Sequence, residues 1–99
     1  MPYEIQFAES VQSHLEALTV AQRKEVLDAI WIQLRHEPLK EARNRKPLRP
    51  NPIAPWELRV GSLRVFYDVV EGPPAVVNVL AVGLKERNQL RVGGREVKL

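Results

Sequence analysis

The chain contains no cysteine. That absence excludes a disulfide framework, a thiolate metal site and a thiol nucleophile. Two histidines, His14 and His36, cannot build a zinc site without carboxylate help. No metal and no cofactor are therefore expected. No apolar run approaches the roughly 20 residues needed to span a bilayer. The first residues lack the charged start and apolar core of a signal peptide. Gly-rich phosphate loops and low-complexity tracts are also missing. What these absences leave is a single domain spanning residues 1–99, cytoplasmic, with no membrane partner.

Charge is unevenly placed. Residues 1–39 carry three basic and six acidic side chains, whereas residues 40–99 carry twelve and six. The first part is thus net negative and the second net positive. A polyanionic partner for the second part follows from that asymmetry, although solvated basic faces are also common.

The chain reads as a strand, two helices and then strands. Tyr3 to Phe7 alternates as a strand does. Val11, Leu15 and Leu18 form one helical stripe over Ser10 to Leu18. Thr19-Val-Ala-Gln22 has the form of a capping box. It opens a second helix that runs to about His36, with Val26, Leu27, Ile30 and Leu34 as its core stripe, flanked by Trp31. Pro38 ends it. Lys40 to Pro55 is rich in proline and reads as irregular. Its basic residues Lys40, Arg43, Arg45, Lys46 and Arg49 form either a phosphate-contacting loop or a solvated linker. Ala75 to Leu84 is nearly all apolar, a central strand covered on both faces, with Lys85 just past its end. Gln89 to Val92 and Arg95 to Leu99 flank Gly93-Gly94, a hairpin with a type I′ turn that sets Arg91 opposite Glu96.

The richest stretch is Trp56-Glu-Leu-Arg-Val-Gly-Ser-Leu-Arg-Val-Phe-Tyr-Asp68. Two alternating strands flank Gly61-Ser62, a type II′ turn with Gly first. The turn sets the register, so Arg59 faces Arg64 and Glu57 faces Phe66. Trp56, Leu58, Val60, Leu63, Val65, Tyr67 and Val69 share the other face. Like charges directly opposite are unfavourable on a sheet. Either an anion binds between the two arginines or Glu57 and Asp68 neutralise them. The architecture that follows is α+β. An N-terminal strand and a helical hairpin pack on one face of a twisted, mainly antiparallel sheet that ends in a C-terminal β-hairpin. The arginine face stays open, and the antiparallel third strand brings Lys85 beside Arg64. Three cations on one face suit a phosphodiester.

These residues carry a family resemblance. Phe7-Ala-Glu-Ser ahead of a helical hairpin, the Trp56-to-Val69 hairpin and Ala81-Val-Gly-Leu-Lys85 are similar to the RelE/ParE family of bacterial type II toxins. The Trp-Glu-Leu-Arg hairpin and the terminal Gly-Gly-Arg-Glu-Val-Lys-Leu resemble the RelE branch over nearly the whole chain. The resemblance implies a RelE-like toxin held by an antitoxin, a metal-independent endoribonuclease that enters the ribosome and cuts mRNA. There the 2′-OH attacks the adjacent phosphate. The toxin–antitoxin complex would meet operator DNA through the antitoxin.

The resemblance places Arg64 at the phosphate, with Arg59 and Lys85 at basic catalytic positions. Two positions depart from it: Glu57 stands where a lysine is expected, and Arg91 where a tyrosine is. Glutamate can act as a weak base. Arginine keeps its proton, so Arg91 can only hold charge. Glu57 and Lys85 are then the proton-transfer pair, with Arg59, Arg64 and Arg91 around the phosphate. Phe66, on the arginine face, either stacks on a base or is covered by the C-terminal hairpin or a partner. Trp31, Trp56 and Tyr67 belong to the core, and His14 and His36 to the helix surface or ends rather than to catalysis. Two other classes stay open: a ParE-like protein that blocks gyrase without chemistry, and a non-toxic antitoxin-binding module.

Overall fold

The computed structural model describes residues 2–98. Strand β1 (Glu4–Phe7) leads into helices α1 (Val11–Glu16) and α2 (Val20–Leu34). Six strands follow: β2 (Arg45–Pro47), β3 (Trp56–Val60), β4 (Leu63–Val70), β5 (Val76–Glu86), β6 (Gln89–Val92) and β7 (Arg95–Val97). They form one sheet in the order β2-β3-β4-β5-β6-β7, and β1 lies parallel on β5. Among the described residues that is the one parallel pairing of the sheet. The α+β arrangement read from the sequence is the one found. Leu99, expected at the end of the last hairpin strand, lies outside the described residues.

The helical hairpin turns where the capping box stands. Gln22 N–H donates to Thr19 Oγ1 at 3.1 Å, and Thr19 N–H donates to Gln22 Oε1 at 3.0 Å, so two orphan donors of α2 are satisfied at once. Val11, Leu18, Val26, Ile30 and Leu34 are buried against Leu58, Leu63, Val65, Tyr67, Val77, Val79 and Val82 of the sheet. Tyr67 stacks on Trp56, and its hydroxyl donates to the Pro38 carbonyl at 2.6 Å. Burial raises the pKa of that hydroxyl well above the usual tyrosine value, which keeps it a donor.

Both glycine hairpins have the expected geometry. Arg59 pairs with Arg64, and Gly61 has φ +61°, while Ser62 is not left-handed. Gly93 and Gly94 have φ +61° and +81°, and Arg91 pairs with Glu96.

Four expectations need correction. The Lys40–Pro55 segment is not wholly irregular, because β2 pairs with β3 and a tight turn joins Ala42 to Arg45. Lys85 lies within β5, which continues to Glu86 and folds back through Arg87 and Asn88, both at positive φ. Helix α2 stops at Leu34 rather than near His36. Trp31 is 56% exposed, not core, and the Arg35 guanidinium sits 4.2 Å above its ring.

The arginine face is also not open throughout. Phe66 is fully buried there with Ala54, Ala81 and Leu90, and Leu48, Ile53 and Val97 pack around them. This second, small core divides the face into hollows.

Candidate nucleic-acid interface

Glu57, Arg64 and Lys85 line one cleft of about 340 Å3, together with Asn88, Leu90, Glu96, Val97 and Lys98. Pairing explains the meeting. Arg64 stands opposite Gly83, so the next residue on the same face of β5 is Lys85. Glu57 stands opposite Phe66, the next residue on that face of β4. Gly83 has no side chain between Arg64 and Lys85. A Cβ there would lie 2.7 Å from the Arg91 carbonyl oxygen and 2.9 Å from Val92 Cγ2.

The charges in the cleft are partly committed. Arg64 Nη1 donates to the Gly61 carbonyl at 2.7 Å and the Leu63 carbonyl at 2.8 Å, which holds the guanidinium against its own turn. Desolvation lowers the Arg64 pKa from its ordinary value; Glu57 opposes that shift and Arg59 adds to it. Glu57 is only 7% exposed, and its Oε1 lies 3.6 Å from Arg59 Nε. Arg59 therefore reaches the site through Glu57 rather than by lining the cleft. Arg64 and Lys85 present positive charge to an anion, and Glu57 and Glu96 are the carboxylates that line the same cleft.

The other expected contacts divide. Lys46 is exposed and pairs with Glu57 across β2 and β3, so it extends the cationic face. Arg43 is exposed in the turn before β2, and Arg49 is exposed on the proline-rich loop. Arg45 is different. It is 8% exposed and donates to the Lys40 carbonyl, the Gln33 carbonyl and Gln33 Oε1. Those bonds tie the loop to α2, so Arg45 is a structural residue and not a phosphate contact. Phe66 is covered by the small core and cannot stack on a base. Arg91 stands opposite Leu84 and lines a small cavity with His14, Ala17 and Leu18 on the helix side of the sheet. It cannot share a phosphate with Arg64, because alternate residues of a strand point to opposite faces.

Asn88, Glu96 and Lys98 line the cleft without a site role in the sequence reading. The signal for Asn88 was available: asparagine tolerates the left-handed backbone of a two-residue turn. Lys98 falls within the strand expected over Arg95 to Leu99, but β7 ends at Val97, so alternation does not govern where Lys98 lies.

No family model and no curated protein matches the chain. Among solved structures, the chain is similar to one in the RelBE2 toxin–antitoxin complex from Mycobacterium tuberculosis. The two are 26% identical, with a TM-score of 0.73 over 86% of this chain and 100% of the other.

Proposed function

We propose, from the premise that this chain has a RelE-like toxin fold, that it is the toxin of a type II toxin–antitoxin pair and cuts mRNA on the ribosome. The observation that carries the reading is the cleft in which Glu57, Arg64 and Lys85 meet. Cleavage of RNA by its own 2′-OH needs a proton acceptor, a cation at the phosphorane and a proton donor. Glu57 takes the 2′-OH proton as the oxygen attacks phosphorus. Arg64 holds the non-bridging oxygens. Lys85 gives a proton to the departing 5′ oxygen. The products are a 2′,3′-cyclic phosphate and a 5′-OH, with no metal in any step. Arg59 positions Glu57, and Lys46, Arg49 and Arg43 attract the RNA backbone.

The partner is an antitoxin, with a helical acidic segment suited to the helical hairpin and the cationic face. Phe7, Leu15 and Leu27 line an apolar hollow beside α1 that such a segment can cover. Operator DNA would be met through the antitoxin, and the setting is cytoplasmic.

A second reading, binding without cleavage, draws on the Glu57–Arg59 pair and on the anchoring of Arg64 to its own turn. Purified ribosomes programmed with a defined mRNA separate the two. Cutting within the A-site codon, lost in Arg64→Ala, is the expected result. Intact mRNA with gyrase inhibition, or with antitoxin binding alone, overturns it.

A further inference from the structure

Beyond the small core around Phe66, the same sheet face carries a second hollow that the cleavage chemistry does not use. It measures about 410 Å3 and lies beneath the 48–55 loop. That is within the range of small-ligand sites. Ile53, Ala54 and Leu80 give it apolar walls, and Arg49 and Asp68 are its charged residues. The loop above it is held in place. Asn51 Nδ2 donates to the Arg49 and Ala54 carbonyls, and Asn51 Oδ1 accepts from Ile53 and Ala54 N–H. The hollow is thus preformed.

Asp68 is out of keeping with a face built for phosphate. Its carboxylate accepts one hydrogen bond, from Asn78 Nδ2 to Oδ1 at 2.9 Å, across the β4–β5 pair. No salt bridge engages it among the described residues. A carboxylate so placed repels phosphate and accepts N–H groups. Its position matters too. Asp68 lies four residues beyond Arg64 on the same face of β4, about 13 Å along the strand. Lys46 and Arg49 line an intervening hollow that shares Leu48, Arg49, Pro50 and Asn51 with this one. An RNA strand with one phosphate at Arg64 therefore has a basic path to the hollow.

Among the four bases, guanine alone offers two parallel N–H donors, N1–H and the 2-amino group, to a single carboxylate. We propose that this hollow is a nucleobase subsite selective for guanine, with Asp68 accepting from its Watson–Crick edge and Arg49 at its rim. The inference rests on RNA as the ligand of the cationic face, and it adds a base preference that the cleft itself cannot provide.

The test titrates the whole chain with guanosine, inosine and uridine 5′-monophosphates and follows backbone amides by NMR. Guanosine monophosphate should move the amides of Asp68, Leu80 and Ile53. It should bind about fivefold or more tightly than inosine monophosphate, which lacks the 2-amino group, or the uridine nucleotide. Asp68→Asn keeps the Asn78 partner and the fold but should bring the three nucleotides to equal affinity. Equal affinities in the unmodified chain overturn the subsite. Shifts confined to Arg64 and Lys85 also overturn it while leaving the phosphate site standing. Shifts at neither place count against both readings.

Discussion

At the scale of single residues, His14 stands at a gap in the sheet. Strand β5 is paired with β1 as far as Val79 and with β6 from Gly83 onward. Between them the Val82 N–H donates to His14 Nδ1 at 3.3 Å, so an imidazole stands in for a missing strand. Desolvation lowers the His14 pKa below its ordinary 6.5, and Arg91 lines the same small cavity. The neutral ring is the accepting form. Its stabilisation is complete above the unfolded value and is lost as pH falls from about 6.5 toward the lower folded value. The melting temperature should therefore drop between pH 7 and pH 5 more steeply in the native chain than in His14→Gln, whose amide accepts at every pH. Equal slopes would remove His14 from the account. Arginines separate in the same way. Arg45→Ala should cost about 2–4 kcal/mol in urea unfolding, since it leaves the Lys40 and Gln33 carbonyls without their donor. Arg64→Ala should leave the fold intact yet abolish growth inhibition, a loss of about 2–4 kcal/mol at the transition state. A basic residue in a proline-rich loop looks solvated, so from sequence alone Arg45 falls in with the phosphate contacts. Only the approach of α2 and the Lys40 turn buries it.

At the scale of elements, what was legible depended on period and turn chemistry. The β3–β4 hairpin could be written down residue by residue because alternation and Gly61 agree on one register. The two faces followed from it, and the cleft residues Glu57, Arg64 and Lys85 followed from the faces. Strand β2 was hidden because three residues ending at Pro47 show no alternation. The Arg87–Asn88 turn is hidden in the sequence because arginine is an unusual occupant of positive φ, and the apolar run stops at Leu84, two residues short of the end of β5. Likeness puts Arg91 at the phosphate, whereas its pairing opposite Leu84 sets it on the helix side. Gly83 is where β5 and β6 approach too closely for a side chain. Gly83→Ala would drive a methyl against the Arg91 carbonyl and Val92. It should destabilise the chain by about 1–3 kcal/mol and open the β5–β6 ladder, seen as faster amide exchange at Lys85 and Leu90.

At the scale of the whole molecule, the sheet separates two kinds of surface. The helix side buries the main core. The opposite side carries Arg64 and Lys85 at one end, Lys46 in the middle and the 48–55 loop at the other. If single-stranded RNA crosses this side, Lys46→Gln and Arg49→Gln should each reduce the slope of log affinity against log salt by about 0.7. Arg91→Gln, on the far side, should leave the slope unchanged. The position of β1 has a consequence for how the chain assembles. From Arg45 onward each strand meets its successor through a local turn, so that stretch closes short loops one after another. Glu4 must instead wait for Val76, and Phe7 for Val79. Closing so long a loop is entropically costly until the rest is in place. The meander is therefore expected to form first, and the N-terminal strand to seat last and leave first. Hydrogen exchange should show the amides of Gln6 and Ala8 opening well below the global unfolding free energy, while those of Val65 and Val82 open only with it.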